Sequence, residues 1–315
     1  MTRRFTLPAA LFALALSVSP AAAQEKLTLL LDWFVNPDHA PLIVAQELGL
    51  FEKHGLAVEM IEPADPNDPP KLVAAGRADL AVGYQPQLHI QTAEGLPLAR
   101  IGTLVATPLN ALVVLADGPI EEIADLKGKT VGYSVGGFET ALLGAMLRQV
   151  GLSSDDVELV NVNFSLSPSL ISGQVDAVIG AFRNFELNQM DIVGEPGRAF
   201  YPEEHGVPVY DELIYIAHRD RLDDPALKSF MDAVEEATIY LMNHPQESWE
   251  MFAAYGEELD DELNRRAWAD TLPRFALRPS ALDRGRYVRF AEFMQAAGLV
   301  ETPAPVDNFA VVLGE

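Results

Sequence analysis

Apolar and polar positions along the 315-residue chain switch repeatedly between two rhythms. Short apolar runs bounded by Gly, Pro, Asn or Asp read as buried strands, and longer stretches with apolar residues every three or four positions read as helices. The strand pattern falls at Lys26–Leu31, Ala57–Ile61, Leu80–Gly83, Leu98–Val105, Ala111–Ala116, Thr130–Tyr133, Glu158–Val162, Ala177–Ile179 and Leu213–His218. The helical pattern falls at Pro41–Lys53, Pro69–Ala75, Gln85–Ala93, Ile120–Leu126, Glu139–Val150, Ser167–Ser172 and Phe185–Gln189. After Asp220 it dominates, at Pro225–His244, Pro245–Tyr255, Asp260–Thr271 and Ala281–Ala297. Such alternation is the signature of an α/β fold.

One segment is echoed. Lys71–Gly83 and Ser169–Gly180 each read as a short helix, a Gly stop, an Asp and a buried strand ending in Gly. Tyr84-Gln85 follows the first and Phe182-Arg183-Asn184 the second. A generic helix–strand connection looks much the same, but two similar lobes would offer two similar strand ends to one cleft. Open α/β sheets bind ligands beyond the carboxyl ends of their strands. Leu109–Gly118 and Asp211–Asp220 each carry a strand with polar or Gly/Pro punctuation, where a chain could leave one lobe and return. The expected division is residues 24–115 and 210–315 in lobe one and 116–209 in lobe two, with two crossovers as a hinge.

Composition narrows the class. Met1–Ala23 reads as a cleavable signal peptide, with Arg3-Arg4, an apolar run and Ala21-Ala22-Ala23 before Gln24. A spanning helix needs about 20 apolar residues, and this run is shorter. Removal of the leader leaves 20 basic against 46 acidic residues, a net charge near −26. That balance argues against nucleic acid and anionic membrane surfaces. With 0 Cys there is no disulfide framework and no cysteine metal site. An exported, soluble monomer without membrane insertion is the expectation.

The richest stretch is Asp32–His39, a turn cluster between an apolar strand and a helical pattern. Trp33 either plugs a lobe or stacks on a flat ring, with Tyr84 or Phe182 on the other face. Asn36 and Gln85 offer donor and acceptor together, although Asn36-Pro37 is also an ordinary turn initiator. His39 and His89 are candidate donors or core histidines, and no His pair has zinc spacing, so no metal is expected. Ser134 and Gly136, in a Gly-rich turn opening a helix, present N–H groups suited to an oxygen anion or carbonyl. Glu186, past the Gly-ended strand and Asn184, is the candidate acceptor for an exocyclic amine, and Arg183 its potential partner. Tyr210 and Asp211 lie at the return crossover, where a closing lobe could touch a ligand. No nucleophile–base pattern stands out.

Asp32-Trp33-x-x-Asn36-x-x-His39 followed by Ala45, Gly49, Phe51, Gly55 and Leu56 resembles type II periplasmic substrate-binding proteins. Leu126–Gly132 and Gly173–Ala177 fit the second lobe of that group. Gly180–Glu186 and Gly206–Leu213 carry a narrower likeness to its NMT1/THI5-like, or ThiY-like, branch. The resemblance implies a periplasmic protein, without cofactor, delivering a thiamine-pyrimidine precursor of the formylaminopyrimidine or hydroxymethylpyrimidine type to an ABC permease. Related carriers imply riboflavin-like rings, sulfonates or nitrate as alternatives. An enzyme branch, the pyrimidine synthases, has a Lys where this chain has Gln85, a His matching His89 and a Cys-rich motif. This chain has neither the Lys nor any Cys, so the resemblance implies a binding protein.

Overall fold

The computed structural model describes residues 24–314, so the leader expected at 1–23 lies outside the described residues. Among the described residues ten strands form two sheets. They are β1 (Glu25–Leu30), β2 (Leu56–Ile61), β3 (Leu80–Tyr84), β4 (Leu98–Val105), β5 (Asn110–Leu115), β6 (Thr130–Tyr133), β7 (Glu158–Asn161), β8 (Ala177–Phe182), β9 (Gly197–Phe200) and β10 (Leu213–His218). The orders are β2-β1-β3-β10-β4 and β7-β6-β8-β5-β9. Each sheet is parallel except for its fourth strand: β10 runs antiparallel to β3 and β4, and β5 to β8 and β9. Each lobe is therefore entered on an antiparallel strand, and the chain crosses between lobes at β4–β5 and β9–β10.

This pairing moves one boundary. Residues 110–115 were expected in lobe one, yet Val113 pairs with Val178 and Ala199 in the second sheet. The run Asn110–Leu115 is apolar on both faces, as a strand covered on both sides requires, so the first crossover shortens to 106–109. Glu212, on the return crossover, accepts from the backbone N–H of Leu109 (2.6 Å) and of Asn110 (2.9 Å). One carboxylate thus pins the two crossing segments side by side.

The echoed segments hold equivalent places, β3 and β8 both being central strands. Their shared Asp is wired alike. Asp79 accepts from Thr28 N–H at 2.7 Å, and Asp176 from Thr130 N–H at 2.9 Å, each tying the start of its strand to the neighbouring parallel strand. Elsewhere the pattern bends. The helix expected over Pro41–Lys53 divides into Ala40–Glu47 and Leu50–Lys53, because Gly49 takes a left-handed φ of +64°. Ile120–Leu126 contracts to one tight turn at Ile123–Leu126. β9 was not expected at all.

The C-terminal helices Pro225–Asn243, Pro245–Tyr255, Glu262–Thr271 and Arg284–Ala296 thicken lobe one. Leu227, Phe230, Val234 and Leu241 share a core with Leu27, Leu29, Val82 and Ile101. Among the described residues no helix is long and apolar enough to cross a membrane.

Candidate ligand-binding cleft

The carboxyl ends of β1, β3 and β8 converge between the lobes. The loop after β1 supplies Asp32, Trp33, Asn36 and Asp38; Tyr84 ends β3; Gly180 and Phe182 end β8. Glu139 and Leu166 come from the first turns of helices Phe138–Gln149 and Leu166–Ile171, with Phe185 and Glu186 at the start of Glu186–Ile192. The space between them is narrow, about 20 Å³. That is close to room for one water.

Aromatic rings set the walls. Trp33 meets Phe164 edge-on at 4.6 Å, joining the loop after β1 to lobe two. Tyr84 stacks on Phe138 at 4.8 Å and meets Phe182 edge-on at 6.5 Å. Rings from both lobes therefore face one another across the gap. Two amide clasps flank them. Asn67, from lobe one, accepts from Gly136 N–H (2.8 Å) and donates to the Ser134 carbonyl (3.2 Å). Asn184, from lobe two, donates to Asp38 Oδ1 (2.7 Å) and to Thr271 Oγ1 (2.7 Å). The lobes are in a closed arrangement.

The cavity is acidic. Asp32, Asp38, Glu139 and Glu186 line it, and no Lys, Arg or His does among the described residues. Asp32 accepts from Tyr84 Oη at 2.8 Å and pairs with His39 Nε2 at 2.9 Å. His39 Nδ1 accepts from Asn36 N–H, which leaves the ring proton on Nε2 to be donated to Asp32. Burial raises Tyr84 well above its ordinary value, helped by the Asp32 charge. Glu139 accepts from Ser134 N–H (2.8 Å) and Val135 N–H (3.1 Å), yet burial pushes it up to about 8 against those bonds, with the Glu212 and Glu186 charges adding to the rise. Glu186 accepts from Phe182 N–H at 2.6 Å, and burial lifts it to about 7. Asp38 is lifted to about 6 by burial, opposed by His39, and its Oδ2 is buried without a partner.

Gly180 makes room for this arrangement. The β5–β8 register shifts between Ala111 and Leu112, so Gly180 is the extra residue of a bulge, at φ +106°. A Cβ there would lie 2.5 Å from the Glu139 carboxyl group.

Of the expected site residues, Trp33, Asn36, Tyr84, Phe182 and Glu186 line the cavity. Asn36 also serves its own turn, accepting from Asp38 N–H at 2.8 Å and donating to the Phe34 carbonyl. His39 stands behind Asp32 and orients it. Gln85 and His89 turn away into lobe one: Gln85 Oε1 accepts from Asp211 N–H (2.8 Å) and its amide nitrogen meets His89. His89 packs among Tyr287, Phe290 and Phe309, and burial lowers it to about 3, so it is a neutral core histidine. The Ser134–Gly136 N–H groups are already held by Glu139 and Asn67. Arg183 pairs with Glu203 at 2.6 Å rather than with Glu186. Tyr210 is fully buried against Phe290. Asp32, Asp38 and Glu139 were not among the candidates, although Asp32 adjoins Trp33, Asp38 adjoins His39, and Glu139 accepts from Ser134 N–H. Among the described residues no group of three or more His, Cys, Asp or Glu is placed to hold a metal ion.

Two swapped-strand sheets with a closed cleft define the architecture of type II periplasmic binding proteins. The alkanesulfonate-binding protein SsuA of Xanthomonas axonopodis pv. citri, bound to MOPS, superposes with a TM-score of 0.71 at 19% identity, over 92% of this chain and 99% of its own. Residues 36–248 match the family described as NMT1/THI5 like, and the chain belongs to that family. A Haemophilus influenzae protein whose name places it provisionally in thiamine biosynthesis is 57% identical over 93% of both chains. The formylaminopyrimidine-binding protein of Halalkalibacterium halodurans is 31% identical over 81% of this chain and 78% of its own. A Legionella pneumophila relative named 4-amino-5-hydroxymethyl-2-methylpyrimidine phosphate synthase is 27% identical over 85% of this chain and 87% of its own.

Proposed function

We propose that the protein is an extracytoplasmic solute-binding protein that captures an aminopyrimidine precursor of thiamine and presents it to an ABC permease. The observation that carries this reading is the closed inter-lobe cavity, with aromatic walls Trp33, Tyr84 and Phe182 and the Glu186 carboxylate beside them. Once the lobes part, a planar ring fits between such walls, and a carboxylate takes the exocyclic amine in a fixed plane. The relative named for formylaminopyrimidine binding supports that ligand class. An acidic, cation-free wall suits a sulfonate or nitrate poorly.

The synthase reading is weaker. Gln85 stands where the synthase branch has its Lys, and its side chain is spent on Asp211 N–H and His89, outside the cavity. Among the described residues no Ser, Thr, Cys or Lys lines the cleft.

Native mass spectrometry after incubation with 4-amino-5-hydroxymethyl-2-methylpyrimidine or its formylamino counterpart tests the proposal. The expected result is a non-covalent complex carrying the intact ligand, with a melting temperature that climbs with ligand concentration. A converted ligand or a lasting covalent adduct would favour the synthase. Retention of neither pyrimidine would end the reading. Osmotic shock of the native host should release the protein with the periplasmic fraction.

A further inference from the structure

The acid count of the cleft exceeds what amine recognition needs. Reading one exocyclic amine takes one carboxylate, but Asp32, Asp38, Glu139 and Glu186 line a single narrow cavity. Glu139 is not there by accident of packing. It occupies the hollow left by the Gly180 bulge, where any side chain would collide with it. Asp38 keeps a buried oxygen with no partner, on the wall of the same cavity. Asp32 is already satisfied by Tyr84 and His39, and Asp38 Oδ1 by Asn184 and Thr271. Glu139 and Glu186 have bonds only to backbone N–H groups, leaving lone pairs for something that brings hydrogen.

Resting on the aminopyrimidine reading, we infer that the cleft binds its ligand together with one proton, shared between a ring nitrogen and the Glu139 and Glu186 carboxylates, and that the same acids exclude anionic esters of the ligand. The argument is electrostatic. Buried carboxylates with no cation beside them repel one another, and each charge is costly away from water. An amine and an adjacent protonated ring nitrogen form a two-pronged donor matching a carboxylate edge, so the extra proton is held by two parallel bonds. The complex has the same composition whether that proton sits nearer nitrogen or oxygen. A phosphate would bring negative charge into the acidic wall, and the Gly136 N–H is already held by Asn67.

The groups facing the proton are few. Asp32 and Asp38 approach from the loop after β1, Tyr84 from β3, Glu139 and Glu186 from their two helices, and Glu212 acts from the crossover. His39 is bound to Asp32, and Arg183 is engaged by Glu203. Burial holds Glu139 and Glu186 near 8 and 7. Above that range the free site is ionised, so a neutral ligand must collect its proton from solvent on binding.

Titration calorimetry of the full-length mature protein with 4-amino-5-hydroxymethyl-2-methylpyrimidine, in two buffers of different ionisation heat, reads the proton directly. At pH 9 the expected result is uptake of about one proton and a Kd rising about tenfold per pH unit. The phosphate ester of the same pyrimidine should bind at least about 100-fold more weakly, and the benzene analogue lacking ring nitrogens should bind weakly with no uptake. Glu139→Gln should lower the uptake while leaving the protein folded by circular dichroism; if it does not fold, the two-buffer measurement on the parent decides alone. Tight binding with no proton uptake between pH 7 and 9 would overturn the inference and leave the ligand class standing. Equal affinity for the phosphate ester would overturn it too. Absence of binding at every pH would instead count against the aminopyrimidine reading itself.

Discussion

The ends of β3 and β8 begin alike and finish differently. Both are central strands, both are anchored by an Asp, both carry a Gly near their end and both present an aromatic ring, Tyr84 or Phe182, to the cleft. Beyond the ring they diverge. β3 runs directly into helix Gln85–Ala93, which turns Gln85 and, one turn later, His89 into the core of lobe one. β8 is followed by Arg183-Asn184-Phe185 before the next helix begins at Glu186. That longer turn sends Asn184 back across the gap to Asp38 and brings Glu186 into the cavity. A sequence echo therefore forecasts the backbone up to the last apolar side chain. After that, the length of the turn decides which polar group returns.

The two glycines give the sharpest contrast. Gly180→Ala should abolish detectable binding, a loss of about 4 kcal/mol or roughly a thousandfold, because strain at positive φ adds to displacement of the Glu139 carboxylate. Gly83→Ala meets the tip of Ile216, at 2.7 Å, and should cost only about 1–2 kcal/mol of stability. Calorimetry and denaturant melts on the pair would break the comparison if both variants lost binding equally.

Trp33→Ala should weaken ligand binding by about 3 kcal/mol, from lost ring contact and a wetter cavity. A folded variant that binds within threefold of the parent would reduce Trp33 to a lobe plug. Next comes the polar pair. Glu186→Gln should cost about 2 kcal/mol of binding and little stability, whereas Gln85→Ala should cost about 1–3 kcal/mol of stability, by stripping Asp211 N–H of its acceptor, with affinity nearly unchanged. An affinity loss in Gln85→Ala as large as in Glu186→Gln would make the two strand ends equivalent after all.

The last contrast is a slope. Glu139 folded sits near 8 against 4.5 in the free residue, so its protonated form favours the fold. Its contribution is full below about pH 4.5 and is lost as the pH rises to 8, at up to about 1.4 kcal/mol per pH unit. His89 acts oppositely: lowered to about 3 from 6.5, it supports the fold above 6.5 and withdraws that support as the pH falls toward 3. Ligand-free melting temperatures should therefore decline from pH 6.5 to 8, and Glu139→Gln should flatten the decline. A parent protein equally stable at both pH values would contradict the buried-acid cleft.

Much of the fold was legible because apolar rhythm is dictated by burial. Leu98–Val105, Thr130–Tyr133 and Leu213–His218 come out with the ends their sequence announces. β9 escaped because Gly-Arg-Ala-Phe, only partly buried at the sheet edge, has no apolar run to announce it. The cleft was legible through its rings and through Asn36 and Glu186. Trp33, Tyr84 and Phe182 are large and sit at strand ends, so their placement follows from topology. Asp32, Asp38 and Glu139 look in the sequence like any turn or helix-start acid, and nothing local says that they are dry. The nearest signal was Gly180, a glycine whose missing side chain is the space another residue needs.

The narrowness of the enclosed space has a kinetic consequence. A space with room for about one water holds no pyrimidine, so on the proposed function the ring is bound only after the lobes part and the Asn67 and Asn184 clasps let go. Observed association rates will then level off at high ligand concentration, at the frequency of opening rather than of collision. Departure obeys the same gate. On the proposed function, release waits on the same parting of the lobes, so removing the Asn67 or Asn184 amide should speed ligand dissociation.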